Sequence, residues 1–356
     1  MSFVHTTLYT AYTLLTLPAR LLTWWLYYIP KSNRPNPNWS WRTTVTLQVI
    51  ILVFRYRTAI RYRTPKSLEP GPDGDRFIVM NPQSTIADAN LKTESAVYQG
   101  TLTSVPLVKP EPIGAVCAYV LFGPRPGDGT GWGPTTFSES SGWPILSVQY
   151  RLSLDADKTF PAAIQDGITA YIYALETLKI PPSQIVLSGE SAGGNLILAM
   201  LQYITEENPA IPLPRCALLW SPWVDMTQRA LNDMVKHRNY NSDYIKHDLG
   251  VWAVSSYIPP GWADDHPYLS PLASDHVLKL SIPLFIEVGT SEVLYDDIVQ
   301  FALNMKKNGT EVELREALHG VHSTFGIADN LGMPEVAIEG HKQAAKFIAR
   351  AGEELE

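Results

Sequence analysis

The sequence predicts an α/β fold, a mostly parallel sheet with helices on both faces, and three observations support it. Short apolar runs alternate with helix-period stretches from about residue 115 to the C-terminus, which is the pattern of successive βα units. A glycine-rich turn, Gly189-Glu190-Ser191-Ala192-Gly193-Gly194, joins one such run to a helical stretch. The chain has 356 residues, 45% hydrophobic and 18% charged, the composition of a globular protein with one large core.

The N-terminal segment, residues 1–66, comes first and reads differently. It carries nine basic side chains and no acidic one, so the rest of the chain is strongly acidic. Leu8 to Pro30 is almost entirely apolar or aromatic, and as a helix it would extend about 34 Å, enough to cross a bilayer core. Val45 to Phe54 is too short to span, and it leads into Arg55-Tyr56-Arg57 and Arg61-Tyr62-Arg63, a basic and aromatic pattern suited to a membrane surface. The segment is therefore expected to be an anchor that contacts lipid. Basic residues following the apolar stretch would leave the catalytic domain in the cytosol, on the endoplasmic reticulum. A mitochondrial targeting segment is the alternative.

Residues 65–74, rich in proline and glycine, read as the linker into the main domain, 67–352. Strands are expected near 76–81, 95–99, 103–108, 115–122, 144–149, 185–188, 216–220, 283–288 and 311–316, the early ones pairing antiparallel at one edge. Residues 226–268 break the βα rhythm with Trp252, Tyr257 and Trp262, as expected of an insertion that completes a helical lid and lines an apolar pocket. Cys117 and Cys216 fall in expected strands and read as small core residues.

The turn at 189–194 carries the chemistry. In a strand–turn–helix setting, GxSxG holds the serine at a sharp apex with its hydroxyl exposed, and the next N–H, that of Ala192, points at a developing oxyanion from a helix N-terminus. Ser191 is thus the candidate nucleophile. Such a serine needs an acid and then a histidine later in the chain, each on a strand-exit loop. Glu292 follows the apolar run Pro283 to Val288; Asp296 and Asp297 compete but sit where a helix begins, where carboxylates compensate the helix dipole. After the alternating run Glu311 to Glu316 come His319 and His322. His319, which comes first and precedes a glycine, is preferred as base, with His322 as a possible loop or cap residue.

These segments together resemble the hormone-sensitive-lipase-like family of α/β-hydrolases, in a form common among fungal esterases. Beyond the GESAGG elbow, Tyr150-Arg151-Leu152, then Phe160-Pro161-Ala162-Ala163 and Asp166, is similar to the family's YRL…FPAA…D signature. Ser221-Pro222-Trp223-Val224-Asp225 and Ser270-Pro271-Leu272 match recurring family segments. The resemblance implies a serine hydrolase acting on a hydrophobic ester or lactone, an intermediate of fungal secondary metabolism among the substrates it suggests. It also implies that Val45 to Lys66 forms part of a lid over the site. One motif departs. Where the family has HGGG, whose N–H groups complete the oxyanion hole, this chain has Gly123-Pro124-Arg125-Pro126-Gly127-Asp128-Gly129. Gly123, Gly127 or Gly129 would have to supply the second donor, with Gly123 preferred. The departure leaves as an alternative a non-hydrolytic dehydratase or cyclase, or a catalytically impaired binding protein. The sequence contains no metal-ligand spacing, dinucleotide fingerprint or phosphate loop, so no cofactor, metal or nucleic acid is expected.

Overall fold

The computed structural model describes residues 3–62, 67–88, 93–118, 132–153 and 155–353. Two helices lead the chain, α1 (Phe3–Tyr27) and α2 (Trp41–Ala59). They are followed by β1 (Phe77–Met80), β2 (Thr85–Asp88), β3 (Thr93–Ala96), β4 (Ile113–Ala118), α3 (Trp132–Ser141) and β5 (Ile145–Gln149). The chain continues through α4 (Ala162–Ile172), β6 (Val186–Glu190), α5 (Ala192–Gln202), β7 (Cys216–Trp220), α6 (Gln228–Met234) and α7 (His247–Tyr257). It ends with β8 (Leu284–Gly289), α8 (Tyr295–Lys307), β9 (Val312–Ala317), α9 (Thr324–Ile327) and α10 (Pro334–Glu353).

Strands β6, β7, β8 and β9 lie side by side in chain order, all parallel. Parallel neighbours need a crossover, and α5 and α8 provide two of them. Such strands are covered on both faces, and β7 shows the consequence: every residue from Cys216 to Trp220 is buried. The two-residue period of the strand sends Ala217 and Leu219 into the cluster with α4, α5 and α8, and sends Cys216, Leu218 and Trp220 into the cluster with Phe137 of α3 and Phe347 of α10. The βα alternation in the sequence therefore builds the architecture it implies.

In a separate three-stranded sheet β4 runs antiparallel to both β1 and β5; the β1–β4 pair matches the antiparallel pairing expected of early strands, and the β4–β5 pair departs from the parallel order expected from residue 115 onwards. Two local expectations differ from the structure. Residues 103–108 form no strand: a 3-10 turn spans Gly100–Thr103, and Pro106 has no N–H for a ladder. The short β2, paired antiparallel with β3, has too few apolar residues to announce itself in the sequence.

The expected membrane anchor is corrected by the structure. Among the described residues no helix is long and apolar enough to cross a membrane. Thr6, Thr7, Thr10, Thr13, Thr16, Thr23 and Arg20 dilute the apolar side chains of α1, and Pro18 lies inside it. The localisation on the endoplasmic reticulum expected from such an anchor is withdrawn with it, and several of the basic residues behind that reading make contacts within the fold. Arg34 donates to the carbonyls of Tyr28, Ile29 and Trp39, and Arg55 lies 3.7 Å from Asp248. The Arg57 guanidinium sits 4.6 Å from the Tyr62 ring centre, and that of Arg61 5.6 Å from that of Trp252.

Helix α2 packs against α7, and the chain before it reaches the loops after β8 and β9 through Asn36 and Trp39. Trp39 and Leu47 are buried in a cluster with Tyr244, Val321, Leu331 and Met333. Ser40 caps α2, its side chain accepting from the N–H of Thr43.

Candidate active site

Ser191 stands between β6 and α5 with φ 55° and ψ −116°, a conformation that is strained for any residue with a side chain. Its backbone is held on both sides. The Ser191 N–H donates to the Trp220 carbonyl at 2.9 Å, and its own carbonyl accepts from the N–H of Trp223 at 3.0 Å. The flanking glycines are required by close approach. A Cβ on Gly189 would lie 2.2 Å from the Gly193 oxygen, and one on Gly194 would lie 2.8 Å from Pro222 Cβ. Gly189 is thus required where the strand passes the first turn of α5 and Gly194 where that turn meets Pro222, whereas a Cβ on Gly193, the second glycine of GxSxG, would meet no atom within 4 Å.

His322 Nε2 lies 2.8 Å from Ser191 Oγ, and His322 Nδ1 lies 3.3 Å from Glu292 Oε1. An ionised carboxylate only accepts, so Nδ1 carries the proton and Nε2 is left to accept from the serine hydroxyl. Glu292 is fully buried, and its Oε2 accepts from Ser221 Oγ at 2.6 Å and from the Gly289 N–H at 2.7 Å. Four groups from four loops therefore form one chain of hydrogen bonds: Ser191, His322, Glu292 and Ser221.

The expectation that His319 faces the serine is corrected. His319 follows β9 with φ 61°, and its Nδ1 meets Asn36 Nδ2 at 3.2 Å. Its carbonyl accepts from Trp39 Nε1 at 2.8 Å. The left-handed turn there, and another at Ser323 with φ 55°, carry the chain round so that the residue three positions later points inward. Each such non-glycine residue costs about 1–2 kcal/mol, which the surrounding contacts must offset. Of the competing acids, Asp296 is held by Arg238 at 2.6 Å and His237 at 3.0 Å on the surface. Asp297 shares the first turn of α8 with it. Glu292 alone of the three bonds a histidine at the serine.

Burial alone would push the His322 pKa down, but the hydrogen bond that Nδ1 donates to Glu292 and the negative charges of Glu292, Asp243 and Glu190 raise it above the ordinary histidine value. Asp243 is a buried carboxylate that the sequence did not single out. Its oxygens accept from the N–H groups of Tyr244 at 2.6 Å and Val293 at 2.7 Å, and burial pushes its pKa up to about 6. Ser221 was visible only as part of a motif, with no role attached.

Ala192 opens α5, and the N–H groups of a first helical turn have no partner within the helix. Gly123, the expected second oxyanion donor, lies outside the described residues, as do Gly127 and Gly129. A cavity of about 330 Å³ is lined by Ala192, by Tyr150, Trp223, Trp252 and Tyr257, and by Phe54, Arg57 and Thr58 of α2. Its walls are mainly apolar. Arg151 also borders it, but this side chain is buried and paired with Asp166 at 2.8 Å, which makes it part of the wall. Among the described residues no group of three or more histidine, cysteine or acidic side chains could hold a metal ion.

Comparison with known proteins agrees with the fold. The sequence pattern of the alpha/beta hydrolase fold matches residues 134–326, just over half of the chain. An acetyl-hydrolase of Streptomyces hygroscopicus is 30% identical over 182 residues, covering 51% of this chain and 58% of that protein. An esterase of Acinetobacter venetianus is 30% identical over 219 residues, covering 60% and 65%. The chain thus spans roughly half to two thirds of the length of these curated relatives. Among solved structures, an esterase/lipase from an uncultured bacterium superposes with a TM-score of 0.58 at 22% identity, covering 86% of this chain and 99% of that one. An esterase of the bacterial hormone-sensitive lipase family gives 0.56 at 21%, covering 86% and 98%. At these identities the likeness of the solved structures is one of fold.

Proposed function

Because the chain belongs to the alpha/beta hydrolase fold family, we propose that it is a serine carboxylesterase in which Ser191 is the nucleophile, His322 the general base and Glu292 the acid that orients it. The observation that carries this reading is the 2.8 Å contact between His322 Nε2 and Ser191 Oγ, backed by Glu292 on the other ring nitrogen. As Ser191 Oγ attacks the ester carbonyl, its proton moves to His322 Nε2, and Glu292 stabilises the imidazolium through Nδ1. The carbonyl oxygen takes up negative charge against the Ala192 N–H at the positive end of α5. His322 then protonates the leaving alcohol. Water, deprotonated by the same ring, attacks the acyl-enzyme, and the proton returns to Ser191 as the acid leaves.

The apolar cavity beside Ala192 supports a hydrophobic acyl group, and the position of α2 and α7 over it supports a lid made by the N-terminal segment and the 226–268 insertion. The finer assignment, to an ester or lactone intermediate of fungal secondary metabolism, is carried by sequence resemblance. The non-hydrolytic alternative rested on the altered 123–133 segment, most of which lies outside the described residues. The Ser191–His322 hydrogen bond favours hydrolysis.

Steady-state hydrolysis of p-nitrophenyl butyrate by the wild type and Ser191→Ala tests the reading. The expected result is turnover that falls by about 10⁴-fold or more in the variant. Equal rates in the two proteins would refute it.

A further inference from the structure

The loops bearing Glu292 and His322 are tied together by one side chain from outside the α/β core. Asn36 Oδ1 accepts from the Asn38 N–H at 3.0 Å, and since a main-chain N–H only donates, this contact fixes which way the amide faces. Its Nδ2 then donates both protons, one to Ser291 Oγ at 3.0 Å and one to His319 Nδ1 at 3.2 Å. Ser291 immediately precedes Glu292, and His319 opens the turn that ends at His322. Three residues further on, Trp39 donates from Nε1 to the His319 carbonyl at 2.8 Å, with its ring buried against Leu47, Val321 and Leu331. Within the core, the two loops are joined by the Ser291 N–H to the Gly320 carbonyl at 2.8 Å and the His319 N–H to Thr290 Oγ1 at 2.7 Å. His322 sits between two residues in left-handed conformations, His319 and Ser323, so the turn relies on outside contacts to keep one shape.

We propose that Asn36 and Trp39 are positioning residues that hold the His319–His322 turn against the Glu292 loop, so that the N-terminal segment completes the catalytic geometry as well as bordering the cavity. This rests on the serine-esterase reading above. His319 becomes the anchor point of the turn, accepting through Nδ1 and its carbonyl.

The test is kinetics of the full chain on p-nitrophenyl butyrate, with melting temperature measured alongside. Asn36→Ala is expected to lower kcat about 5- to 10-fold with KM within about twofold, the size of one lost hydrogen bond expressed in the barrier. His319→Ala should lower kcat similarly, and the double variant should be little worse than either single one, because both remove the same contact. His319→Asn should recover most of the loss. Its Oδ1 lies one bond beyond Cγ, as Nδ1 does, and asparagine tolerates a positive φ. Trp39→Phe, which keeps an aromatic ring in the cluster but removes the indole N–H, should also lower kcat without raising KM. Wild-type kcat in Asn36→Ala, additive losses in the double variant, or losses that follow melting temperature alone would overturn the proposal. If the wild type and Ser191→Ala hydrolyse equally, the esterase reading fails and the proposal with it. If hydrolysis depends on Ser191 but not on Asn36, only the proposal fails.

Discussion

His322, three residues beyond the histidine that directly follows β9, is the one that reaches Ser191, at 2.8 Å from Nε2 to Oγ. The imidazole is 2% exposed and has Glu292 on its other nitrogen, so it is shielded from water while its tautomer is fixed. Replacing it with glutamine removes the base and is expected to lower kcat/KM on p-nitrophenyl butyrate by about 10⁴-fold or more, with the melting temperature little changed. Activity within tenfold of the wild type, on the order of 1 kcal/mol in the barrier, would exclude His322 as the base.

Glu292 acts on the serine only through His322, and its own orientation depends on Ser221 and the Gly289 N–H. Glu292→Gln should lower kcat by about 10²- to 10⁴-fold, because an amide can hold the ring in the wrong tautomer. Ser221→Ala leaves Oε2 with one donor in place of two and should lower kcat by about tenfold. The ratio of the two effects can be read from steady-state kinetics of the purified variants.

The sign of the pH dependence follows from the surroundings of His322. Catalysis needs the neutral ring, and the nearby carboxylates favour the charged one, so kcat/KM should fall with decreasing pH through a midpoint above the ordinary histidine value of about 6.5. For stability the sign is opposite. A pKa raised by folding adds stability at pH below the unfolded value, and that contribution is lost as pH rises through the folded pKa. Asp243→Asn removes one of the charges and should move the acid limb to lower pH, which a pH–rate profile measures directly.

Acyl preference should follow the cavity walls. Phe54 of α2 and Trp252 of α7 both line the cavity that Ala192 borders. Phe54→Ala and Trp252→Ala should shift kcat/KM towards longer p-nitrophenyl acyl chains, by about 1–3 kcal/mol in relative preference. An unchanged chain-length profile would mean the acyl group binds elsewhere.

The tight elbow makes its own prediction about the fold. Gly189→Ala would place a Cβ 2.2 Å from the Gly193 oxygen and 2.8 Å from the Gly194 nitrogen, both backbone atoms that cannot move aside. The variant should lose roughly 1–3 kcal/mol of stability or fail to fold, as judged by thermal denaturation.

The legible parts of the sequence were those fixed by local rules. The period of β7 and the glycines around Ser191 arise from the backbone itself, so the parallel sheet and the nucleophile's turn could be read directly. Glu292 was legible from its place after an apolar strand. The choice between His319 and His322 was not, because it depends on two left-handed residues and on a tryptophan 280 positions away in sequence. Asp243 and Ser221 reach the site through tertiary packing and leave no spacing signal. The N-terminal segment misled for a related reason: its aromatic and basic residues fit a lipid surface by composition, whereas Trp39, Phe54 and Arg57 are placed by contacts with the hydrolase core and its cavity.

The most direct test of the central claim is to react the protein with a fluorophosphonate and locate the adduct by peptide mass spectrometry. The account predicts stoichiometric phosphonylation of Ser191, abolished in Ser191→Ala and slowed by about 10³-fold or more in His322→Gln. An unmodified Ser191 in the wild type, or labelling at the same rate in His322→Gln, would contradict it.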